Sequence, residues 1–230
     1  MTKAADKIII ALDVATKERA LNLVEELHDQ ISFFKIGLQL YTAEGPEIVR
    51  AVLSTGAKVF LDLKLHDIPN TVARAVESAS NLGVHMLTIH LNGGSEMIRA
   101  ATAARANNIS ILGVTVLTSA TEQTLREIGI SGKVEDHVLQ LAKLGAKEGI
   151  DGLIASPHEV KMLRAEFGDK IKIVVPGIRP SGSESGDQKR VMTPREAIDA
   201  GADYLVIGRP IIAHPHPKEA VAKILDELEG

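Results

Sequence analysis

The chain has 230 residues, of which 45% are hydrophobic, 24% charged and 3% aromatic. These are the proportions of a globular chain, and they exclude a disordered or fibrous one. Twenty-six basic against 30 acidic residues, with no basic run, exclude the concentrated cationic face that gripping a nucleic-acid backbone requires, and zero cysteines exclude disulfides, thiolate metal sites and a cysteine nucleophile. The Met1–Asp6 segment is too polar and short for a signal peptide, and no apolar run approaches the ~20 residues of a membrane span, so a cytoplasmic protein is expected. With four Phe, two Tyr and no Trp, the core has to be built from Ile, Leu, Val and Ala.

Short apolar, β-rich runs alternate with helical patterns from end to end. Strands are predicted at Lys7–Asp13, Phe33–Gly37, Lys58–Lys64, Met86–His90, Ile109–Leu117, Gly152–Ala155, Lys172–Pro176 and Tyr204–Ile207. Between them, apolar residues recur at helical spacing, as in Ala20, Leu21, Val24 and Leu27 or Val138, Leu141 and Leu144. The strand starts recur about every 28 residues, near the roughly 30 that a strand–helix crossover to a parallel neighbour needs. Gly56, Gly83, Gly145, Gly149 and Gly201 fall where helix C-caps are expected. Eight such units in one chain fit an α/β protein, a (β/α)8 TIM barrel forming a single domain over residues 1–230. An open doubly wound sheet is the competitor, but the first strand runs into Asp13-Val14-Ala15-Thr16 without the glycine-rich phosphate turn of that fold.

In a barrel, chemistry sits at the C-terminal ends of the strands. Reading those ends gives Asp13, Lys35, Asp62, Lys64 and, three residues on, Asp67. His90 and Asn92 follow strand four, Thr118 and Ser119 strand five, Arg179 strand seven, and Gly208 and Arg209 strand eight. Asp62 and Lys64 are two apart on a strand, which points both to one face. Asp62–Lys64 alone reads equally as a structural ion pair, with Asp67 as a helix N-cap and Pro69 in the first turn. Adding Asp13 and Lys35 changes the balance, because two acids and two ammonium groups converging on one mouth stabilise a fold poorly. A second cluster is Gly208-Arg209 with the glycine- and serine-rich segment Gly177–Gln188. Loops after strands seven and eight of barrels commonly hold phosphate through backbone N–H groups, and Arg209 adds a bidentate donor.

Asp62-x-Lys64-x-x-Asp67-Ile68-Pro69-Asn70-Thr71 resembles the signature of the orotidine 5′-monophosphate decarboxylase family. The resemblance extends to Ala11-Leu12-Asp13, Phe34-Lys35-Ile36-Gly37, Val116-Leu117-Thr118-Ser119, Pro176–Pro180 with Gly186-Asp187-Gln188, and Val206–Pro210. It implies decarboxylation of orotidine 5′-monophosphate to UMP, the last step of de novo UMP synthesis, by a homodimer with two sites at the subunit interface. It further implies Asp62 and Lys64 from one subunit, with Asp67 and Thr71 reaching in from the other. Lys35 and Asp13 would hold the ribose hydroxyls and the charged network, and Thr118 would contact the pyrimidine. Gln188, Gly208 and Arg209 would hold the 5′-phosphate, and Arg179 would lie on the loop that closes over it. The family uses no metal and no organic cofactor. Without an electron sink, Lys64 is the group expected to stabilise the C6 carbanion and protonate it.

Other polar residues read as structural. His214-Pro215-His216 reads as a solvated turn, and His66 is expected on the barrel exterior or toward a partner, while His90, at the end of strand four, reads equally as lining the mouth or not. Asp13, Asp62 and Asp67 supply oxygens that suit Mg²⁺, but two interleaved lysines compete for them. The rival enzyme class is therefore the Mg²⁺-dependent decarboxylases of 3-keto sugar phosphates, which share the barrel and an Asp-x-Lys-x-x-Asp pattern. A rival of another kind is a non-catalytic, nucleotide-binding barrel.

Overall fold

A computed structural model describes residues 3–106, 109–180 and 192–229. Eight strands, β1 (Ile8–Ala11), β2 (Phe33–Gly37), β3 (Lys58–Leu65), β4 (Met86–His90), β5 (Ser110–Val114), β6 (Gly152–Ile154), β7 (Lys172–Val175) and β8 (Tyr204–Ile207), form a closed parallel barrel in chain order. Closure is made by β8 pairing with β1, Ile8 opposite Leu205 and Ile10 opposite Ile207, which removes the open-sheet alternative. Around it run α1 (Lys17–Leu27), α2 (Leu38–Glu44), α3 (Pro46–Ser54), α4 (Pro69–Leu82), α5 (Gly94–Ala103), α6 (Glu122–Glu127), α7 (Val134–Lys147), α8 (Val160–Phe167), α9 (Pro194–Asp199), α10 (Arg209–Ile212) and α11 (Pro217–Glu229).

The helices form where the apolar stripe and the end signals agree. In α1, Thr16 caps the N-terminus by accepting the Arg19 N–H, and Ala20, Leu23, Val24 and Leu27 turn inward. Thr193 and Glu196 form a capping box at the start of α9. Gly83 ends α4 with φ 84°, the left-handed conformation expected of a C-cap. Gly145 departs from the expectation, since it lies inside α7 and allows close packing instead. A Cβ there would stand 2.6 Å from Ile150 Cδ1. Asp67 is not the cap of α4 either: Ile68 occupies that position, with Pro69 in the first turn, and the Asp67 carboxylate accepts the Ile68 N–H at 2.7 Å.

Period-two alternation divides the buried residues into two sets. A large apolar layer lies between strands and helices, including Ile8, Ile10, Phe34, Ile36 and Leu61. A smaller cluster fills the barrel interior: Ile9, Ala11, Phe33, Phe60, Met86, Leu112, Val174 and Val206. The interior parity determines what reaches the mouth. Two residues beyond Ala11 is Asp13, beyond Phe33 is Lys35, beyond Phe60 is Asp62, and beyond Val206 is Gly208. The strand ends thus continue the interior stack with charged and small residues in place of aliphatic ones.

Candidate active site

At the C-terminal mouth of the barrel lies a cleft of about 220 Å³. Its lining includes Asp13, Lys35, Asp62, Lys64, Thr118, Arg179, Gly208 and Arg209, so eight of the residues singled out from the sequence come together. The charged groups form one chain. Lys35 Nζ lies 3.2 Å from Asp13 Oδ1 and 3.5 Å from Asp62 Oδ2, while Lys64 Nζ lies 2.7 Å from Asp62 Oδ1. Asp62 is the hub, with a side chain only 13% exposed against 52% for Asp13. Burial works to raise the Asp62 carboxyl, but the Lys35 and Lys64 ammonium groups and hydrogen bonds from Lys64 and Thr88 outweigh it. They hold the carboxyl below the ordinary aspartate range. Two glycines leave room for the chain: a Cβ at Gly37 would meet Lys35 Nζ at 3.0 Å, and one at Gly208 would lie 3.3 Å from Asp13 Oδ2.

Lys64 reaches this position by an unexpected route. Simple alternation predicts that Asp62 and Lys64 share a face of a regular strand. They do share the cleft, but the strand between them is not regular. Leu61 pairs with Leu87 and Leu65 pairs with Ile89, so Asp62, Leu63 and Lys64 stand opposite the single residue Thr88. This bulge places Lys64 at φ 51°, the only left-handed non-glycine among the described residues. Such a conformation costs on the order of 1 kcal/mol or more and persists where surrounding contacts impose it. Here the Lys64 N–H donates to Thr88 Oγ1 at 2.8 Å, and the Thr88 hydroxyl donates to Asp62 Oδ1 at 3.0 Å. Thr88 was absent from the sequence reading, although its signal was there: it continues the interior parity two residues beyond Met86.

Arg179 and Arg209 line the same cleft. Arg179 is buried, and that burial together with the neighbouring Arg209 guanidinium pulls its pKa down. Two guanidinium groups that oppose each other's charge, lining the cleft with Gly177 and Gly208, could hold an anion. Val114, Val116, Ile154 and Val206 give the cleft apolar walls.

The remaining expected residues lie elsewhere. Asp67 and Thr71 are exposed and outside this cleft, and among the described residues Asp67 makes no ion pair with Lys64. Asn92 and Ser119 also stay outside it. Gln188 lies outside the described residues. His66 is exposed, with its ring 5.5 Å from that of His90. His90 ends β4 half-buried and outside the cleft lining, and burial first, then the nearby His66 and Lys64, hold its imidazole below the ordinary histidine value. The His216 N–H donates to His214 Nδ1 at 3.0 Å, closing the turn expected there.

The profile of the orotidine 5′-phosphate decarboxylase / HUMPS family matches residues 6–224. The orotidine 5′-phosphate decarboxylase of Geobacter sp. strain M21 is 49% identical, over 98% of this chain and 97% of that protein. The enzyme of the same name from Carboxydothermus hydrogenoformans is 46% identical over the same shares. Among solved structures, orotidine 5′-phosphate decarboxylase from Lactobacillus acidophilus superposes with a TM-score of 0.87 at 35% identity, covering 98% of this chain and all (100%) of that one. The Pyrococcus horikoshii OT3 enzyme superposes with a TM-score of 0.79 at 28% identity, covering 97% and 99%. With a profile match along almost its whole length and near-half identity to full-length relatives, the chain belongs to the orotidine 5′-phosphate decarboxylase / HUMPS family.

Proposed function

We propose that the chain decarboxylates orotidine 5′-monophosphate to UMP and CO2 in pyrimidine biosynthesis, without metal or organic cofactor, as a cytoplasmic homodimer with shared active sites. The observation that carries this reading is the unbroken Asp13–Lys35–Asp62–Lys64 chain lining one apolar-walled cleft together with two arginines. A nucleotide with a carboxylated pyrimidine has matching parts: a phosphate for Arg179, Arg209 and Gly208, ribose hydroxyls for Asp13 and Lys35, and a base for the apolar walls and Thr118. Gln188 would join the phosphate group. Among the described residues no helix is long and apolar enough to cross a membrane.

The chemistry follows from charge. The bond from C6 to the carboxylate breaks, its electron pair stays on C6, and CO2 leaves. The ring delocalises that pair poorly, so the fixed Lys64 ammonium supplies the electrostatic stabilisation and then donates its proton to C6. Asp62 holds the Lys64 ammonium aimed before the reaction begins, which spares reorganisation in the transition state. Interactions at the distant phosphate hold the reacting carbon there. Asp67 and Thr71 would complete the partner's site. That reading is supported by the exposure of both residues and by Ile68 between them, a large apolar side chain 67% exposed.

The test is the loss of orotate absorbance when the purified protein, dialysed against EDTA, meets orotidine 5′-monophosphate. Turnover without added metal is expected. Turnover that collapses and is restored by Mg²⁺ would replace this reading with the metal-dependent one, and binding without turnover would favour a nucleotide sensor.

A further inference from the structure

We propose that Thr88 is the positioning residue of the charged array: its single hydroxyl couples the Lys64 backbone to the Asp62 carboxylate and so aims the Lys64 ammonium for the chemical step. The inference rests on the decarboxylase reading above and adds to it a residue that does not touch the cleft. Thr88 lies at the centre of β4, fully buried, on the parity that faces the barrel interior.

Three features converge on it. It is the one β4 residue opposite the bulged triplet Asp62-Leu63-Lys64, so the regular ladder offers the Lys64 N–H no carbonyl, and Thr88 Oγ1 takes that bond instead. A hydroxyl carries one proton. With the Lys64 N–H at a lone pair of Thr88, that proton goes to Asp62 Oδ1. Asp62 Oδ1 is also the atom that receives Lys64 Nζ at 2.7 Å. The backbone amide and the side-chain ammonium of Lys64 are therefore tied through the same two oxygens, in a closed circuit running from amide to hydroxyl to carboxylate to ammonium. Threonine suits the position beyond its hydroxyl, because branching at Cβ restricts χ1 and holds the hydroxyl in one direction. Valine would fill the same space and break the circuit at both bonds.

The experiment compares wild type with Thr88→Val, Thr88→Ser and Thr88→Ala on orotidine 5′-monophosphate across pH. The rate is expressed per folded site, with thermal midpoints measured alongside. Thr88→Val is expected to lower kcat about tenfold to a hundredfold, the worth of a hydrogen bond to a charged group, with KM unchanged. The acidic limb of its kcat profile should move to higher pH, because Asp62 loses a donor that favours its ionised form. Thr88→Ser should recover most of kcat and return the limb. A packing role alone would move neither the limb nor the rate in this hydroxyl-dependent way. If Thr88→Val does not fold, Ser and Ala, which differ only in the hydroxyl, make the same comparison. Wild-type kcat and pH limb in Thr88→Val, or equal rates in Ser and Ala, would overturn the proposal. A wild type that does not turn over the nucleotide would overturn the decarboxylase reading, and this inference with it.

Discussion

Gly37→Ala probes the array without removing any of its charges. Gly37 ends β2 directly across from Asp62, and its backbone at φ −96°, ψ −177° is one that alanine adopts without strain. The added Cβ would stand 3.0 Å from Lys35 Nζ, so the ammonium must retreat to the 3.4 Å of ordinary contact, about 0.4 Å. At an effective dielectric of about 20, such a retreat weakens each of its two ion pairs by about 0.5 kcal/mol. Asp13 is half exposed and its share is screened, so Asp62 carries most of the effect. The sum, between about 0.5 and 1 kcal/mol, corresponds to a loss of roughly two- to fivefold in kcat/KM. Stability should hold or rise slightly, since replacing glycine at a compatible position restricts the unfolded chain by about 0.4–1 kcal/mol. Initial rates of orotate absorbance loss and a thermal melt on the same preparation measure both. An unchanged kcat/KM with an intact melt would show that Gly37 does not confine Lys35 and would refute the packing argument.

Lys64→Ala should abolish the chemical step by many orders of magnitude while nucleotide binding stays detectable by calorimetry; near-normal turnover would assign the proton to Lys35 instead. For Asp62, whose folded carboxyl titrates below the unfolded value of about 3.9, the ionised form contributes stability above that value and loses it as the pH falls through the folded pKa. Denaturant midpoints of the wild type should therefore drop more steeply below about pH 4 than those of Asp62→Asn, and parallel curves would contradict the lowered pKa. Mixing Asp67→Ala with Lys64→Ala chains should return about a quarter of wild-type activity per site, because half of randomly re-formed dimers are mixed and each has one intact site of two. Activity no higher than in the separate variants, with exchange confirmed, would place Asp67 in its own subunit's site.

How far the fold could be read in advance follows from where each signal resides. β2, β4 and β8 lie where their apolar runs predicted them, because a strand buried on both faces is written in consecutive residues. The convergence of Asp13, Lys35 and Asp62 was legible too, since it needs only period-two alternation and a barrel. The bulge at Lys64 was not. Left-handed backbone usually advertises itself as glycine, whereas here a lysine adopts it and the compensating contact is a hydroxyl 24 residues away on another strand. Gly145 misled for the converse reason: a glycine near a helix end looks like a cap whether it supplies backbone freedom or, as here, the absence of a Cβ. Arg179 followed strand seven as expected, but its burial beside Arg209 is a tertiary fact that a loop sequence does not encode.

The charges lining the cleft bear on how it would receive the proposed substrate. Among the described lining residues, Asp13 and Asp62 face Lys35, Lys64, Arg179 and Arg209, an excess of two positive charges. The proposed substrate brings a carboxylate and a phosphate monoester of about −1.5 to −2 charge near pH 7, so the cleft as a whole attracts it. The attraction is not uniform. Asp62 already occupies both lysine ammonium groups. A substrate carboxylate arriving beside Lys64 must share that ammonium with Asp62, and in the proposed dimer with the partner's Asp67 as well. When CO2 departs, the carboxylate charge that stood against Asp62 would leave as a neutral molecule, and the charge left at C6 would face Lys64. The array would thus be matched better to the state after the bond has broken than to the state before, and in the proposed complex binding of the phosphate would keep the less favoured ground state in place.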